Sequence, residues 1–174
     1  MEEAALISGA SRGIGLEIAR CFAQDGNNCV VVARSEDRLN EIKEEFESTY
    51  DVTVKVLAKD LTSASACEEI YEQLNNEGVF VHSLVNNAGF ANYGAFADHA
   101  LESEQALIDL NVSALTQLTH RFAQDMIAEG RGRIMNVAST GAFFPAPYIA
   151  TYDASKAYVL FFTEGIAEEL AEHD

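Results

Sequence analysis

The sequence contains no apolar run that approaches the roughly 20 residues needed by a membrane-spanning helix. Its first ten residues, MEEAALISGA, also lack the basic segment and the long apolar core of a secretory signal peptide. We therefore predict no membrane partner, and without an export signal we expect a cytoplasmic location.

Basic residues are scarce. Lysine and arginine total 11, whereas aspartate and glutamate total 28, which gives a formal net charge of −17. Nucleic acids and anionic membranes bind proteins through clustered basic side chains, so this balance argues against both as partners. We interpret the excess as a solvated acidic surface. A salt-loving source would also fit, and the remainder of a longer chain could rebalance the charge.

Cysteine and histidine show no spacing that suggests a metal site, and we predict none. Cys21, Cys29 and Cys67 form no CxxC pair, and each lies in a predicted helix or strand, so we expect reduced thiols in the core. The histidines have neither metal-ligand spacing nor a nucleophile nearby, so we treat as structural His82, His99, His120 and His173.

No linker, repeat or low-complexity segment interrupts a regular alternation of short apolar runs and amphipathic stretches. The apolar runs predict strands at 5–8, 29–33, 52–58, 82–88 and 132–139. The amphipathic stretches predict helices at 13–25, 35–49, 63–77, 103–129 and 151–173. Repeated strand–helix units favour a parallel sheet with helices on both faces. We therefore predict that residues 1–174 form one doubly wound, three-layer α/β domain.

A glycine-rich loop, GASRGIG, joins the first predicted strand to the first helix at 9–15. Glycine permits positive φ and lets a phosphate approach the backbone, while a helix N-terminus attracts negative charge. A tight structural turn is the alternative, but the position favours a dinucleotide. The predicted cofactor contacts in this loop are Gly9, Ser11, Arg12, Gly13, Ile14 and Gly15.

The spacing of this loop resembles the TGxxxGxG cofactor loop of the short-chain dehydrogenase/reductase family, with Ser8 where the family usually has threonine. Further motifs of the family follow in order: NNAG at 86–89, Asn111, Ser139, and YDASK at 152–156. The resemblance covers essentially the whole chain. It implies a Rossmann-like sheet in strand order 3-2-1-4-5 and hydride transfer between a nicotinamide cofactor and a carbonyl or alcohol group.

The end of the second predicted strand bears on the choice of cofactor. NAD-binding sheets usually place an acid there, whereas this chain has Ala33 followed by Arg34. An arginine clamps a 2′-phosphate through paired hydrogen bonds, and Arg12 supplies a second positive charge. In the resembling family this pair accompanies NADP(H), which we predict here. Alternatively, Arg34 is a solvated residue at a helix start.

The resemblance places Asp60 beside the adenine ring. The alternative is a helix N-cap or turn residue before 62–77, and both roles can coexist. The NNAG motif would line the far ribose and support the central strand. The further predicted cofactor contacts are Leu61, Asn87, Ala88 and Gly89, together with Tyr152 and Lys156.

Tyr152 and Lys156 are four residues apart, so they share one helix face. A neighbouring ammonium favours the phenolate form of a tyrosine, which makes the pair suited to acid–base catalysis. By resemblance, Tyr152 exchanges the proton, Ser139 binds the substrate oxygen, and Asn111 holds a water in a relay to Lys156. A surface pair and a buried hydrogen-bonding asparagine are the alternatives.

Aromatic residues flank the predicted mouth of the site. AFFPAP at 142–147, Phe90 and Tyr93 suggest an apolar or aromatic carbonyl compound as the small-molecule substrate. The chain resembles broadly acting carbonyl reductases more than β-oxoacyl carrier-protein reductases. The alternative is a nucleotide-binding or scaffolding fragment without catalysis.

Relative to the family, the sequence ends after the fifth crossover helix, so the family's next strand, substrate loop and last strand are missing. We expect an open edge at 132–139 and, for a true 174-residue product, weakened cofactor binding and little turnover.

In the resembling family the last two helices build dimers, and dimers pair into tetramers. We predict a homodimer or homotetramer; burial under the missing segment is the alternative. The apolar residues on these helices are AYVLFF at 157–162 and Leu107, Leu110, Leu115, Leu118 and Phe122.

Overall fold

The computed structural model describes residues 2–173, in which five strands alternate with helices. The strands are β1 Glu3–Ser8, β2 Cys29–Ala33, β3 Val54–Ala58, β4 Phe80–Asn86 and β5 Arg133–Asn136. The α-helices are α1 Gly13–Gln24, α2 Glu36–Thr49, α3 Ala66–Asn76, α4 Leu101–Ile108, α5 Leu115–Glu129 and α6 Ala150–Leu170.

The strands form one parallel sheet in the order β3-β2-β1-β4-β5, which confirms the predicted order. β1 lies at the centre, where Ile7 pairs in register with Val31 of β2 and Val85 of β4. Apart from Glu3 at its start, β1 is buried, because it lies between two neighbours and under helices on both faces; this explains its apolar run. The carboxyl ends of the strands therefore meet at one edge, where ligands bind in sheets of this kind.

Side chains of β1 alternate between two cores, one on each face of the sheet. Ala5 and Ile7 pack with α1 and α2, whereas Ala4 and Leu6 pack with α3 and α5. The predicted three-layer arrangement is confirmed. The final helix, α6, packs against α4 and against the short turn Thr140–Ala142 that follows β5.

The predicted helix 103–129 is not continuous. A π-helical segment at Asp109–Ala114 separates α4 from α5. Such a segment widens the helix locally and leaves no mark in the apolar periodicity, so the sequence indicated one long helix. The predicted strand 132–139 is also longer than the observed β5. Within residues 2–173 this strand pairs only with β4, and the last hydrogen bond to that neighbour comes from Val137 N to Asn86 O at 2.9 Å.

The prediction that all three cysteines are core thiols is wrong for Cys21, which is exposed. On α1 the buried positions include Leu16, Ala19 and Ala23, and a residue two positions after Ala19 points to roughly the opposite side of a helix. Cys29 is buried as predicted, and this burial raises the pKa of its thiol to about 12.

The third thiol, Cys67, is buried as well, and burial raises its pKa to about 11.

The apolar residues that we assigned to a dimer surface on the long helix pack inside the chain instead. Leu118 and Phe122 lie in the core between the sheet and α5. Leu107 and Leu115 are also buried, and Leu110 is partly buried. On α6 the outward apolar side chains are Tyr158 and Phe161.

No helix within 2–173 has the length and apolar character to cross a membrane. The cytoplasmic location stays a prediction.

Candidate active site

The glycine loop leaves the carboxyl end of β1 at the edge where ligands bind. Gly9 and Gly13 have φ values of 69° and 57°, in the left-handed region that favours glycine. A Cβ at Gly15 would collide with the carbonyl oxygen of Gly9, so the helix start packs tightly on the loop. Arg12, Gly13 and Ile14 are exposed and Ser11 is half-buried, which leaves the outer side of the loop open to a ligand.

The hydroxyl of Ser8 ties this loop to the NNAG segment. Ser8 Oγ donates to Val85 O at 3.2 Å and accepts from the backbone N–H groups of Asn87 and Ala88 at 3.0 and 3.1 Å. Asn87 Nδ2 returns hydrogen bonds to the carbonyl oxygens of Ser8 and Gly9 at 3.1 and 3.3 Å. We predicted no contact for Ser8; the one available signal was that threonine usually stands there in the resembling family.

Three arginines lie around the outer side of the glycine loop. Arg12 and Arg34 are exposed, and within residues 2–173 no acidic side chain forms a salt bridge with either. Arg38, which the sequence analysis missed, donates from Nε to Ser11 O at 3.4 Å and pairs with Glu41 at 2.6 Å. The available signal was that Arg38 lies four residues after Arg34, at the start of the predicted helix 35–49.

Asp60 stabilises the turn that precedes α3. Its Oδ1 accepts from the backbone N–H of Thr62 at 3.0 Å and from the Thr62 hydroxyl at 2.9 Å. The backbone hydrogen bond from Thr62, with the positive charge of Arg34 as a smaller cause, lowers the pKa of Asp60. Because α3 begins only at Ala66, Asp60 is a turn residue and not its N-cap. Leu61 is 6% exposed and packs in the core.

Lys156 and Tyr152 lie on the first turns of α6, with Lys156 Nζ 5.8 Å from the centre of the Tyr152 ring. Lys156 is only 5% exposed, and its Nζ donates to Val137 O at 2.7 Å. This burial lowers the pKa of the Lys156 ammonium, because desolvation penalises the charged form. Tyr152 is half-buried, so its side chain remains reachable from solvent.

Asn111 sits in the π-helical segment, where the wider turn directs it inward. Its Oδ1 accepts from Phe90 N at 3.1 Å, and its Nδ2 donates to Phe90 O and to Ser155 Oγ, both at 3.0 Å. A Cβ built on Gly89 would lie 3.0 Å from Asn111 Oδ1 and 3.7 Å from Lys156 Nζ. The structure therefore brings the end of the NNAG motif, Asn111 and Lys156 together. The side chain of Asn111 is engaged by protein groups, as the buried hydrogen-bonding interpretation expects.

Ser139 follows β5 and is half-buried. Its Oγ accepts a hydrogen bond from Gly141 N at 3.1 Å, which closes a small turn against α6. Several exposed aromatic side chains stand on the two loops near this turn, at 90–100 and 140–149: Tyr93, Phe96, Phe143, Phe144 and Tyr148. Gly94 N donates to Tyr148 O at 2.8 Å, so the two loops are joined.

A buried carboxylate, which the sequence analysis also missed, anchors the first of these loops. Glu104 on α4 is 5% exposed; its Oε1 lies 2.9 Å from Asn92 Nδ2 and 2.7 Å from His99 Nδ1. Hydrogen bonding from Thr151, and then from Asn92 and His99, lowers the pKa of Glu104. Within 2–173 no cluster of three or more His, Cys, Asp and Glu side chains is arranged to hold a metal ion.

The family model described as short chain dehydrogenase matches residues 3–174. A very-long-chain 3-oxoacyl-CoA reductase from Phaeosphaeria nodorum is 34% identical over 175 residues, which cover 97% of this chain and 51% of that protein. This chain thus spans about half the length of that relative.

Two solved structures are similar over nearly the whole chain. The bulky-bulky ketone specific alcohol dehydrogenase from Comamonas testosteroni has a TM-score of 0.93 and 35% identity, covering 99% of this chain and 69% of that one. A short-chain dehydrogenase from Sphingobium yanoikuyae in complex with NADPH also has a TM-score of 0.93 and 35% identity, covering 99% and 67%. These similarities confirm the predicted Rossmann-like fold.

Replacement of Ser8 tests the connection between β1 and the NNAG segment. Ser8→Ala leaves the half-buried N–H groups of Asn87 and Ala88 without their acceptor; a fully buried unsatisfied group costs about 1–3 kcal/mol, and each of these costs less than that. We expect a lower free energy of unfolding in urea, whereas Ser8→Thr, which keeps the hydroxyl, should remain within about 1 kcal/mol of the original chain. Equal stability of the alanine variant and the original chain would contradict this role.

The stability of the Glu104 cluster should depend on pH. Since the pKa of Glu104 is lower in the folded state than its usual 4.5, its contribution is complete above that value and is lost as pH falls through the folded-state pKa. Glu104→Gln should therefore lower the urea midpoint at pH 7, and the difference from the original chain should shrink between pH 5 and 3. The exposed neighbour on the same helix, Glu102→Gln, is the matched control and should show no such change.

Proposed function

The chain belongs to the short chain dehydrogenase family, and from this premise we propose that it transfers a hydride between NADP(H) and a carbonyl or alcohol group of a small molecule. The observation that carries this proposal is the position of Lys156. This buried lysine lies beside Tyr152 on α6 and near Gly89 of the NNAG segment, at the edge of the sheet where the glycine loop opens. Burying an ammonium is unfavourable, so its retention there is best explained by chemistry.

The residues around the glycine loop fit a dinucleotide. Positive φ at Gly9 and Gly13 shapes the loop, and a Cβ at Gly13 would meet nothing within 4 Å, which leaves room for a ligand. The start of α1 would hold the pyrophosphate, because its free N–H groups and helix dipole attract negative charge. On this proposal, Asp60 lies near the adenine ring, and Asn87, Ala88 and Gly89 line the far ribose.

The choice of NADP(H) over NAD(H) rests on the arginines. Arg12 and Arg34 are exposed and unneutralised by salt bridges within 2–173, and Arg38 contacts the same loop. The position at the end of β2, where an acid would repel a 2′-phosphate, is Ala33, and the next residue is Arg34. A phosphate would bind such guanidinium groups through charge-assisted hydrogen bonds.

The chemistry assigned to this chain is proton transfer and charge stabilisation, while bound NADPH supplies the hydride. In carbonyl reduction, the hydride adds to the carbonyl carbon and the Tyr152 hydroxyl gives its proton to the oxygen, which leaves an alcohol and a phenolate. Lys156 stabilises that phenolate through its positive charge. The Ser139 hydroxyl donates a hydrogen bond to the developing oxyanion. Asn111, which is bonded to Phe90 and to Ser155, would hold a water in a relay to Lys156.

The proposed substrate class is a bulky apolar or aromatic ketone or the corresponding alcohol. The support is the set of exposed aromatic side chains on the loops beside Tyr152, which include Tyr93, Phe143 and Phe144. Large exposed aromatic groups favour an apolar ligand because contact removes their surface from water. The Comamonas testosteroni enzyme of similar fold is specific for bulky-bulky ketones, which agrees with this choice.

We also propose a single domain over this chain, a cytoplasmic location and a homodimer. The outward side chains on α6 that would serve the dimer are Tyr158 and Phe161; Tyr158 stacks on Phe162 with ring centres 5.5 Å apart. Closed two-fold dimers are the commonest soluble oligomers.

Calorimetric titration with NADPH and NADH tests the cofactor proposal. Arg34→Asp should weaken NADPH binding by about 10- to 100-fold, the loss expected for charged hydrogen bonds, and should leave NADH binding nearly unchanged. Arg133→Asp makes the same charge change on β5, away from the glycine loop, and should bind both cofactors like the original chain. Equal affinity of the original chain for NADPH and NADH would refute the preference.

Turnover of an aryl ketone, followed as NADPH oxidation, tests the reaction. Tyr152→Phe should lower kcat by about 10²–10⁴-fold, since it removes the proton donor; NADPH is kept saturating, so that loss of the Tyr152 cofactor contact does not enter kcat. Tyr50→Phe, at the end of α2, is the control and should keep kcat. Little turnover is expected of a true 174-residue product, so the readout is the ratio of kcat between the variant and the original chain. NADPH binding with no detectable turnover of any ketone in a broad panel would favour a nucleotide-binding protein without catalysis.

A further inference from the structure

The residue that follows Tyr152 is a buried carboxylate with no role in the reaction described above. Asp153 is 6% exposed and lies in the first turn of α6. Burying a carboxylate is unfavourable unless hydrogen bonds and nearby positive charge compensate. The N-terminal end of α6 supplies part of that compensation through the helix dipole. The other partners of Asp153 belong to the loop that follows β5.

The carboxylate of Asp153 holds the loop that runs from Ser139 to Ala146. Asp153 Oδ2 accepts a hydrogen bond from the backbone N–H of Ala146 at 3.0 Å. Asp153 Oδ1 fills the space beside Gly141, so that a Cβ at Gly141 would collide with it. Both contacts join residues of the loop to the helix turn that carries Tyr152.

The other end of the same loop carries Ser139. Gly141 N donates to Ser139 Oγ at 3.1 Å, so the position of Gly141 determines where the serine hydroxyl lies. The exposed side chains of Phe143 and Phe144 lie between Gly141 and Ala146. Asp153 thus contacts the loop before and after the two phenylalanines, at Gly141 and at Ala146. Of these two residues, Gly141 is the one that hydrogen-bonds to Ser139.

We propose that Asp153 is a positioning residue, which fixes the Ser139–Ala146 loop against the first turn of α6. It thereby sets how far the Ser139 hydroxyl lies from Tyr152, and how far the side chains of Phe143 and Phe144 lie from it. This inference rests on the proposed function for its effect on catalysis, but the attachment of the loop is a structural property that can be measured without turnover. Misplacement of a reacting group by about 1 Å can cost 10²-fold in rate.

The first experiment compares Asp153→Ala, Asp153→Asn and, as a matched control, Glu164→Ala, which removes an exposed acid from the same helix. In Asp153→Ala, amide hydrogen exchange at Gly141–Ala146 should accelerate by at least about tenfold, as expected when the loop opens locally. Aryl ketone turnover should show kcat lowered by about 10- to 100-fold, with NADPH affinity unchanged. Asp153→Asn keeps an acceptor for Ala146 N and should remain within about threefold of the original chain in both readouts.

The second experiment approaches the same contact from the loop. Gly141→Ala should accelerate exchange and lower kcat in the original background, because its Cβ displaces the carboxylate. In the Asp153→Ala background the space is free, so the added methyl group should have almost no further effect; such non-additivity identifies residues in contact.

Unchanged exchange at Gly141–Ala146 in Asp153→Ala would overturn the proposal. So would an Asp153→Asn variant as impaired as Asp153→Ala, because the charge and not the accepted hydrogen bond would then matter. If the original chain shows no ketone turnover, the reaction proposal fails, while the exchange measurements still decide whether Asp153 holds the loop.

Discussion

The hydrogen bonds of the Ser8 hydroxyl hold the carboxyl ends of β1 and β4 at a common level, and the candidate site depends on this arrangement. One small side chain accepts from two successive N–H groups of the NNAG segment and donates to the carbonyl of Val85. Asn87 completes the connection with hydrogen bonds back to the first residues of the glycine loop. A buried N–H group without a partner is costly, so these contacts strongly disfavour any other placement of the two segments.

From this connection the polar interior continues toward α6. Gly89 ends the NNAG segment close to Asn111 and Lys156, and Asn111 in turn joins Phe90 to Ser155. A π-helical segment is what turns Asn111 inward, and such segments often occur at functional sites. Each amide group of Asn111 has a partner, and Lys156 is held in a desolvated position by its hydrogen bond to Val137 O. Burial of a cation lowers stability, and such costs are common at functional sites.

The net charge of the whole chain is opposite in sign to the charge of the side chains around the glycine loop. The chain carries a net charge of −17, yet Arg12, Arg34 and Arg38 lie around the glycine loop. Interactions between exposed charges fade beyond about 8–10 Å at physiological ionic strength. A bound phosphate would therefore respond chiefly to these arginines and to the acids beside them, such as Glu41 and Asp60, and more distant acids would contribute little.

Local patterns in the chain were enough to predict the strands and the motifs of the candidate site, because apolar runs, glycine spacing and short motifs need no knowledge of distant contacts. The order of the strands came from the resemblance to a family. The tertiary structure decided which polar side chains meet. Ser8 and Asn87 are 79 residues apart, and the buried carboxylates Glu104 and Asp153 stand in patterns that fit an ordinary amphipathic helix equally well. The exposure of Cys21 and the inward direction of the α5 leucines likewise follow from which helix face meets the sheet. Such contacts arise from packing between segments distant in the chain, and no local pattern records them.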